Sequence, residues 1–163
     1  MAAKTLPIED VLTLLAQAPP RIAELTAGLT PAQLHTPPEP GEWSANEVLA
    51  HLRACADVWG NYIRTMLAQD SPAIRTISPR TWIRKTDYPA QEFQPSLQLF
   101  TAQRADLLAV LEALSTEEWT RTATMTGAGK ARVQTVQSYA EALATHERPH
   151  LKQIERIADS LRP

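Results

Sequence analysis

Apolar positions recur along this chain at alternating steps of three and four in four long stretches, the period of an amphipathic helix. In the first stretch Ile8, Val11, Leu15, Ala18, Ile22, Leu25 and Leu29 share one face. Pro19 and Pro20 fall inside it without shifting the phase. Proline lacks a backbone donor and crowds the carbonyl four residues back, so a helix kinked or restarted there is expected. Thr30-Pro31-Ala32-Gln33 reads as the cap of one short helical turn, followed by a Pro- and Gly-rich loop from Thr36 to Gly41.

The second helix is announced by a capping box of Ser44 and Glu47, with Trp43 and Val48 placed as a hydrophobic staple. Its buried stripe is Val48, Leu52, Cys55, Trp59, Tyr62 and Met66, and His51 lies in the row beside it. The helix should end near Gln69. Residues 70 to 90 lack a period and carry Pro72, Pro79 and Pro89, and a connection this long tends to be functional. The third stripe runs Phe93, Leu97, Phe100, Leu107, Leu111 and Leu114, with Pro95 confined to the first turn. Ser115 and Glu118 cap a short turn carrying Trp119. Arg121 to Arg132 then reads as a small extended excursion, a hairpin, before a fourth helix from near Val133. That helix buries Val136, Ala140, Leu143, Glu147, His150, Ile154, Ile157 and Leu161. Four such segments predict an all-α fold, a four-helix bundle in a single domain over residues 1–163. The connections are long enough to leave simple up-down and crossover orders both open.

Composition narrows the partners. Sixteen basic and eighteen acidic side chains leave a formal charge of −2, which gives no reason to expect nucleic acid. No apolar run approaches a membrane span. Lys4 is followed too soon by Glu9 and Asp10 for a signal peptide, and Cys55 has no cysteine to pair with, so a cytoplasmic address is expected.

Candidate chemistry centres on histidine. His146 and His150 are four residues apart, hence on one helix face with Cβ atoms about 5–6 Å apart. Two such imidazoles can turn onto one ion, and His51 supplies a third from another helix. Three histidines and a water form a known catalytic zinc arrangement, although packed, hydrogen-bonded histidines meet the same spacing. His146-Glu147-Arg148-Pro149-His150 also matches the H-E-x-x-H pattern of zinc proteases. That reading is rejected: thirteen residues follow His150, with no further Gly or His among them, and Pro149 disturbs the helix at Thr145. Glu147 remains a candidate base or ligand-orienting group, against a solvated or core-edge carboxylate. Cys55, one turn after His51, is a candidate ligand or thiol against a core residue. Tyr62 is a candidate proton donor against simple burial. Trp59, Trp82 and Trp119 are pocket walls or packing, Arg84 and Lys85 in the long loop would suit a carboxylate-bearing cofactor, and His35 reads as exposed and idle.

With those residues in view, the chain resembles the DinB-like superfamily, which includes the YfiT-like metal-dependent enzymes. Glu42-Trp43-Ser44-Ala45-Asn46-Glu47-Val48-Leu49-Ala50-His51-Leu52 and His146-Glu147-Arg148-Pro149-His150-Leu151-Lys152-Gln153-Ile154 carry the resemblance, and helix order agrees over nearly the whole chain. It implies an up-down-down-up bundle holding a divalent metal, zinc or nickel, on His51, His146 and His150, often as a homodimer with a small-molecule substrate. Characterised relatives include transferases using bacillithiol, mycothiol or glutathione. The expected activity is thus a metal-dependent, thiol-dependent transfer to a small electrophile. The alternatives are a metal-dependent hydrolase and a non-catalytic metal-binding stress protein. Pro149 departs from the family pattern, and a kink there would change the bite of the two histidines.

Overall fold

The computed structural model describes residues 5–163, so Lys4 lies outside the described residues. Four long helices are present: α1 (Ile8–Thr26), α3 (Ala45–Ala68), α5 (Phe93–Glu112) and α7 (Val136–Leu161). Short helices α2 (Pro31–Leu34), α4 (Pro79–Ile83) and α6 (Thr116–Trp119) lie in the connections, with strands β1 (Ala73–Arg75), β2 (Thr122–Thr126) and β3 (Arg132–Thr135). The expected capping boxes all form: Thr30 with Gln33, Ser44 with Glu47, and Ser115 with Glu118. A further one, Thr135 with Ser138, starts α7. The expected excursion is an antiparallel β2–β3 hairpin, to which β1 adds a parallel edge. Val133 therefore belongs to β3, and the last helix begins three residues later than the sequence pattern suggests.

Two hydrophobic clusters reveal the helix directions. One joins Val11 and Leu15 of α1, Val58 to Met66 of α3, Leu107 and Leu111 of α5, and Val136 to Ala144 of α7. The other joins Ile22 and Leu25, Val48 to Ala56, Phe93 to Phe100, and Ile154 with Ile157. The first cluster thus holds the N-terminal halves of α1 and α7 and the C-terminal halves of α3 and α5. Helices α1 and α7 run one way and α3 and α5 the other, which is up-down-down-up. Because α3 and α5 are parallel, the chain between them must return along a helix about 36 Å long. That requirement accounts for the long irregular connection: it is a strap, carrying β1, α4 and a 3-10 turn at Tyr88–Ala90, that lies against α3.

At the waist between the clusters the core turns polar. His51, His146 and His150 stand there on α3 and α7, and the buried pair Arg104–Glu147 stands there between α5 and α7. The helix does not restart at Pro19-Pro20; α1 is continuous through both. Pro19 cannot bond the Leu15 carbonyl, which instead accepts a hydrogen bond of 2.8 Å from Arg104 Nη1. The Ala16 carbonyl freed by Pro20 belongs to an exposed residue that water can serve. Likewise α7 runs unbroken through Pro149, where Pro149 and Thr145 are both exposed.

Candidate metal centre

Each histidine reaches the waist for a local reason. Ser44 and the box with Glu47 set the start of α3, and His51 follows two turns on, against the half-buried Trp43 ring at 5.2 Å. His146 and His150 occupy adjacent turns of α7 on the side facing α3, with the Trp59 ring edge-on to His146 at 5.0 Å. The three rings close into a triangle with centroid separations of 5.2, 4.9 and 4.7 Å.

The nitrogens converge more closely than the rings. His146 Nε2 lies 3.4 Å from His51 Nε2 and 3.3 Å from His150 Nε2. For nitrogen ligands about 2.0–2.1 Å from a tetrahedral ion, geometry places neighbouring nitrogens about 3.3–3.4 Å apart. His150 Nδ1 lies 2.8 Å from Gln153 Oε1, an acceptor, so Nδ1 carries the proton and Nε2 presents its lone pair. His146 Nδ1 is buried with no partner among the described residues, so Gln153 is the orienting contact of this kind for His150 only. Burial first, then the neighbouring His150 and His146 and the charge of Arg80, lower His51 to about 4. Burial and His150 lower His146 to about 4 as well. Neutral imidazoles at pH 7 are the form that binds metal. The donor set therefore fits a divalent ion.

Cys55 is also at hand: His51, Cys55 and His146 offer donor atoms that all lie within 4.8 Å of one another. Its sulfur, however, is 3.6 Å from His51 Nε2 and 4.0 Å from Nδ1. Near-equal distances to both nitrogens put the sulfur beside the imidazole ring, not beyond Nε2 where an ion would sit. Burial, and then Glu147, push the thiol up to about 12. His150, whose Nε2 lies 3.3 Å from that of His146, is the nitrogen alternative to Cys55 as third donor.

The other sequence candidates are engaged elsewhere. Glu147 is neither solvated nor at the core edge: both its oxygens accept from the Arg104 guanidinium, one at 2.8 Å, in a fully buried pair. Burial pushes its carboxyl up, with Arg104 pulling against that. Tyr62 accepts from Ile77 N at 2.7 Å and donates to its carbonyl at 3.2 Å, so its hydroxyl fastens the strap. Arg84 and Lys85 are exposed at the end of α4 and do not line the histidine cavity. Trp82 donates to Asp57 at 2.9 Å, Trp119 is core, and His35 lies 3.4 Å from Glu92 in an exposed pair.

Three residues escaped the sequence reading. Arg104 occupies the gap between Phe100 and Leu107 in a buried stripe, and a charge there opposite Glu147 in another stripe was the available signal. Asp57 accepts from Trp82, from the Tyr88 hydroxyl at 2.6 Å and from Gln103, tying strap, α3 and α5 together. Arg80, on α4, lines the cavity of about 340 Å³ that opens onto the triad, with Trp43, Cys55, Trp59, Ser78 and Pro79. A larger cavity of about 560 Å³ lies beside Asp57 and Leu107, but among the described residues the group of side chains placed to hold a metal ion is at the histidines.

The model of the DinB superfamily matches residues 14–154. The chain belongs to the DinB superfamily. It is 27% identical over 124 residues to a protein of Geobacillus kaustophilus named a putative metal-dependent hydrolase, covering 74% of this chain and 68% of that one. A Bacillus licheniformis protein with the same description is 32% identical over 119 residues, covering 71% and 66%. The chain thus spans about two thirds of the length of these relatives. Among solved structures, YfiT from Bacillus subtilis, described as a probable metal-dependent hydrolase with an unusual four-helix bundle topology, superposes with a TM-score of 0.81. At 18% identity over 98% of this chain and 91% of YfiT, that likeness is one of fold. No helix among the described residues is long and apolar enough to cross a membrane.

Proposed function

We propose that this chain is a metal-dependent enzyme in which His51, His146 and His150 hold one divalent cation, zinc or nickel, and leave one coordination position facing the cavity. The observation that carries this reading is the pair of Nε2 separations, 3.4 and 3.3 Å, which match the edges of a tetrahedral site. A bound ion would supply Lewis acidity there, lowering the pKa of a water or a thiol beside it. The chain's own residues supply the rest. Trp43 and Trp59 wall the cavity and shed water, Gln153 holds the His150 tautomer, and the strap closes one side.

For the reaction class, the make-up of the cavity lining supports one reading over the other. Among the described residues its lining includes no carboxylate; Glu147 is bound to Arg104, and the Tyr62 hydroxyl to Ile77. Hydrolysis is helped by a positioned base that takes a proton from water, although a bound ion alone would bring water to a pKa of about 7. A thiol is far more acidic than water and needs no such base once its anion is favoured. The lining therefore favours transfer from a low-molecular-weight thiol, of the bacillithiol, mycothiol or glutathione kind, to a small electrophile. The thiol proton leaves to solvent, sulfur bonds to the electrophilic carbon, and the leaving group departs with the bonding pair. Hydrolysis is the second reading, supported by the names of the relatives.

Metal-loaded protein tested against paired thiols and electrophiles, and separately against ester and amide panels, decides between them. The expected result is turnover that needs thiol and is lost in His51→Ala with its metal. Thiol-independent ester or amide cleavage, equally lost in the variant, replaces transfer by hydrolysis. Metal content unchanged in His51→Ala overturns the site itself.

A further inference from the structure

The up-down-down-up order forces the chain between α3 and α5 back along α3, and in doing so lays α4 across the open side of the histidine cavity. Its position there is held from both ends. Ser78 accepts from Arg80 N at 3.2 Å at the start of α4, and Asp57 holds Trp82 two residues further on and Tyr88 beyond it. The residue so placed is Arg80, the one cation among the side chains that line this cavity.

Its surroundings leave that charge uncompensated. Arg80 makes no ion pair among the described residues, and in this it is like Arg64, Arg75 and Arg84; what sets it apart is its place in the lining of the histidine cavity. The rest of the lining is imidazole, indole, thiol, hydroxyl and proline, with no carboxylate among the described residues. A divalent ion on the triad would add two further positive charges. An anionic group entering the cavity would meet a planar guanidinium whose two parallel donors match a carboxylate.

We infer that Arg80 makes the open side of the histidine cavity selective for small molecules that carry a carboxylate, which it holds beside the cation site. This rests on the metal reading above and adds the substrate class to it. Arg84 does not serve this purpose: it caps the C-terminal end of α4 and, though exposed like Arg80, is outside the cavity lining.

The test uses cobalt(II)-loaded protein titrated with 3-mercaptopropionate and with its primary amide, two thiols alike in shape and different in charge. Binding is read from the sulfur-to-cobalt charge-transfer band. A charge-assisted hydrogen bond at an exposed arginine predicts that the carboxylate thiol binds about two- to fivefold tighter. That preference falls to near parity in Arg80→Gln and persists in Arg84→Gln, which removes the same charge from the same helix. Equal binding of the two thiols to the parent protein overturns the inference while leaving the metal reading standing. So does a preference that survives Arg80→Gln, because the carboxylate then chelates the ion, or one lost equally in Arg84→Gln. Failure of the protein to take up cobalt overturns both.

Discussion

Replacing Glu147 by leucine should destabilise this protein far more than the loss of one surface ion pair. Arg104 is 2% exposed and keeps two contacts without Glu147: the Leu15 carbonyl and the Phe100 ring, 5.0 Å from the guanidinium carbon. Neither neutralises a buried cation, and its Nε already lacks a partner. Breaking such a pair from one side costs about 3–5 kcal/mol, a large part of the roughly 5–15 kcal/mol that keeps a domain folded. With a urea slope of about 2 kcal/mol/M, the unfolding midpoint should drop by about 1.5–2.5 M. Changing both residues, Arg104→Met with Glu147→Leu, removes the stranded charge, and apolar replacement of a buried pair is on the order of neutral to 4 kcal/mol favourable. One debt remains, because the Leu15 carbonyl loses the donor that stood in for Pro19, at about 1–3 kcal/mol. The double variant should therefore lie close to the parent protein. Adding Pro19→Ala to it should stabilise further by restoring the helical bond. Urea unfolding followed by far-ultraviolet circular dichroism measures these proteins together with the single variant Arg104→Met. A Glu147→Leu cost below about 1 kcal/mol, or single-variant costs that simply add in the double variant, refutes the reasoning.

Further expectations follow from the waist and the strap. Metal-free protein should lose stability as pH falls from about 6.5 to 4. In that window the unfolded chain takes protons on His51 and His146 that the folded chain, with both lowered to about 4, does not. Thermal midpoints of the metal-free protein and of a His51→Gln, His146→Gln variant across that range check this, and equal slopes would refute it. Cys55, 1% exposed and pushed up to about 12, should resist alkylation at pH 8 until urea unfolds the chain; labelling at the rate of a free thiol in the folded state contradicts the burial. Asp57→Ala should cost about 2–3 kcal/mol by stranding the Trp82 and Tyr88 donors. It should also speed amide exchange across residues 78–90 relative to α3. Uniform exchange would show that Asp57 does not hold the strap.

What the sequence determined by itself is whatever depends on neighbours within a turn. The caps at Thr30, Ser44 and Ser115 are three-residue hydrogen-bond patterns, and each formed where its letters stand. The His146–His150 pair needed only the four-residue helical spacing, and the amphipathic stripes identified all four long helices. The tertiary structure decided what depends on partners far along the chain. His51 meets His146 across 95 residues, and Arg104 rescues the carbonyl freed by Pro19 across 89. That distant donor serves the carbonyl freed by Pro19, while the one freed by Pro20, on exposed Ala16, is left to water. Arg80, and not Arg84 or Lys85, faces the cavity because Asp57 grips the strap at points 25 and 31 residues away. A side chain's period shows which face it occupies. Only packing shows which other face it meets.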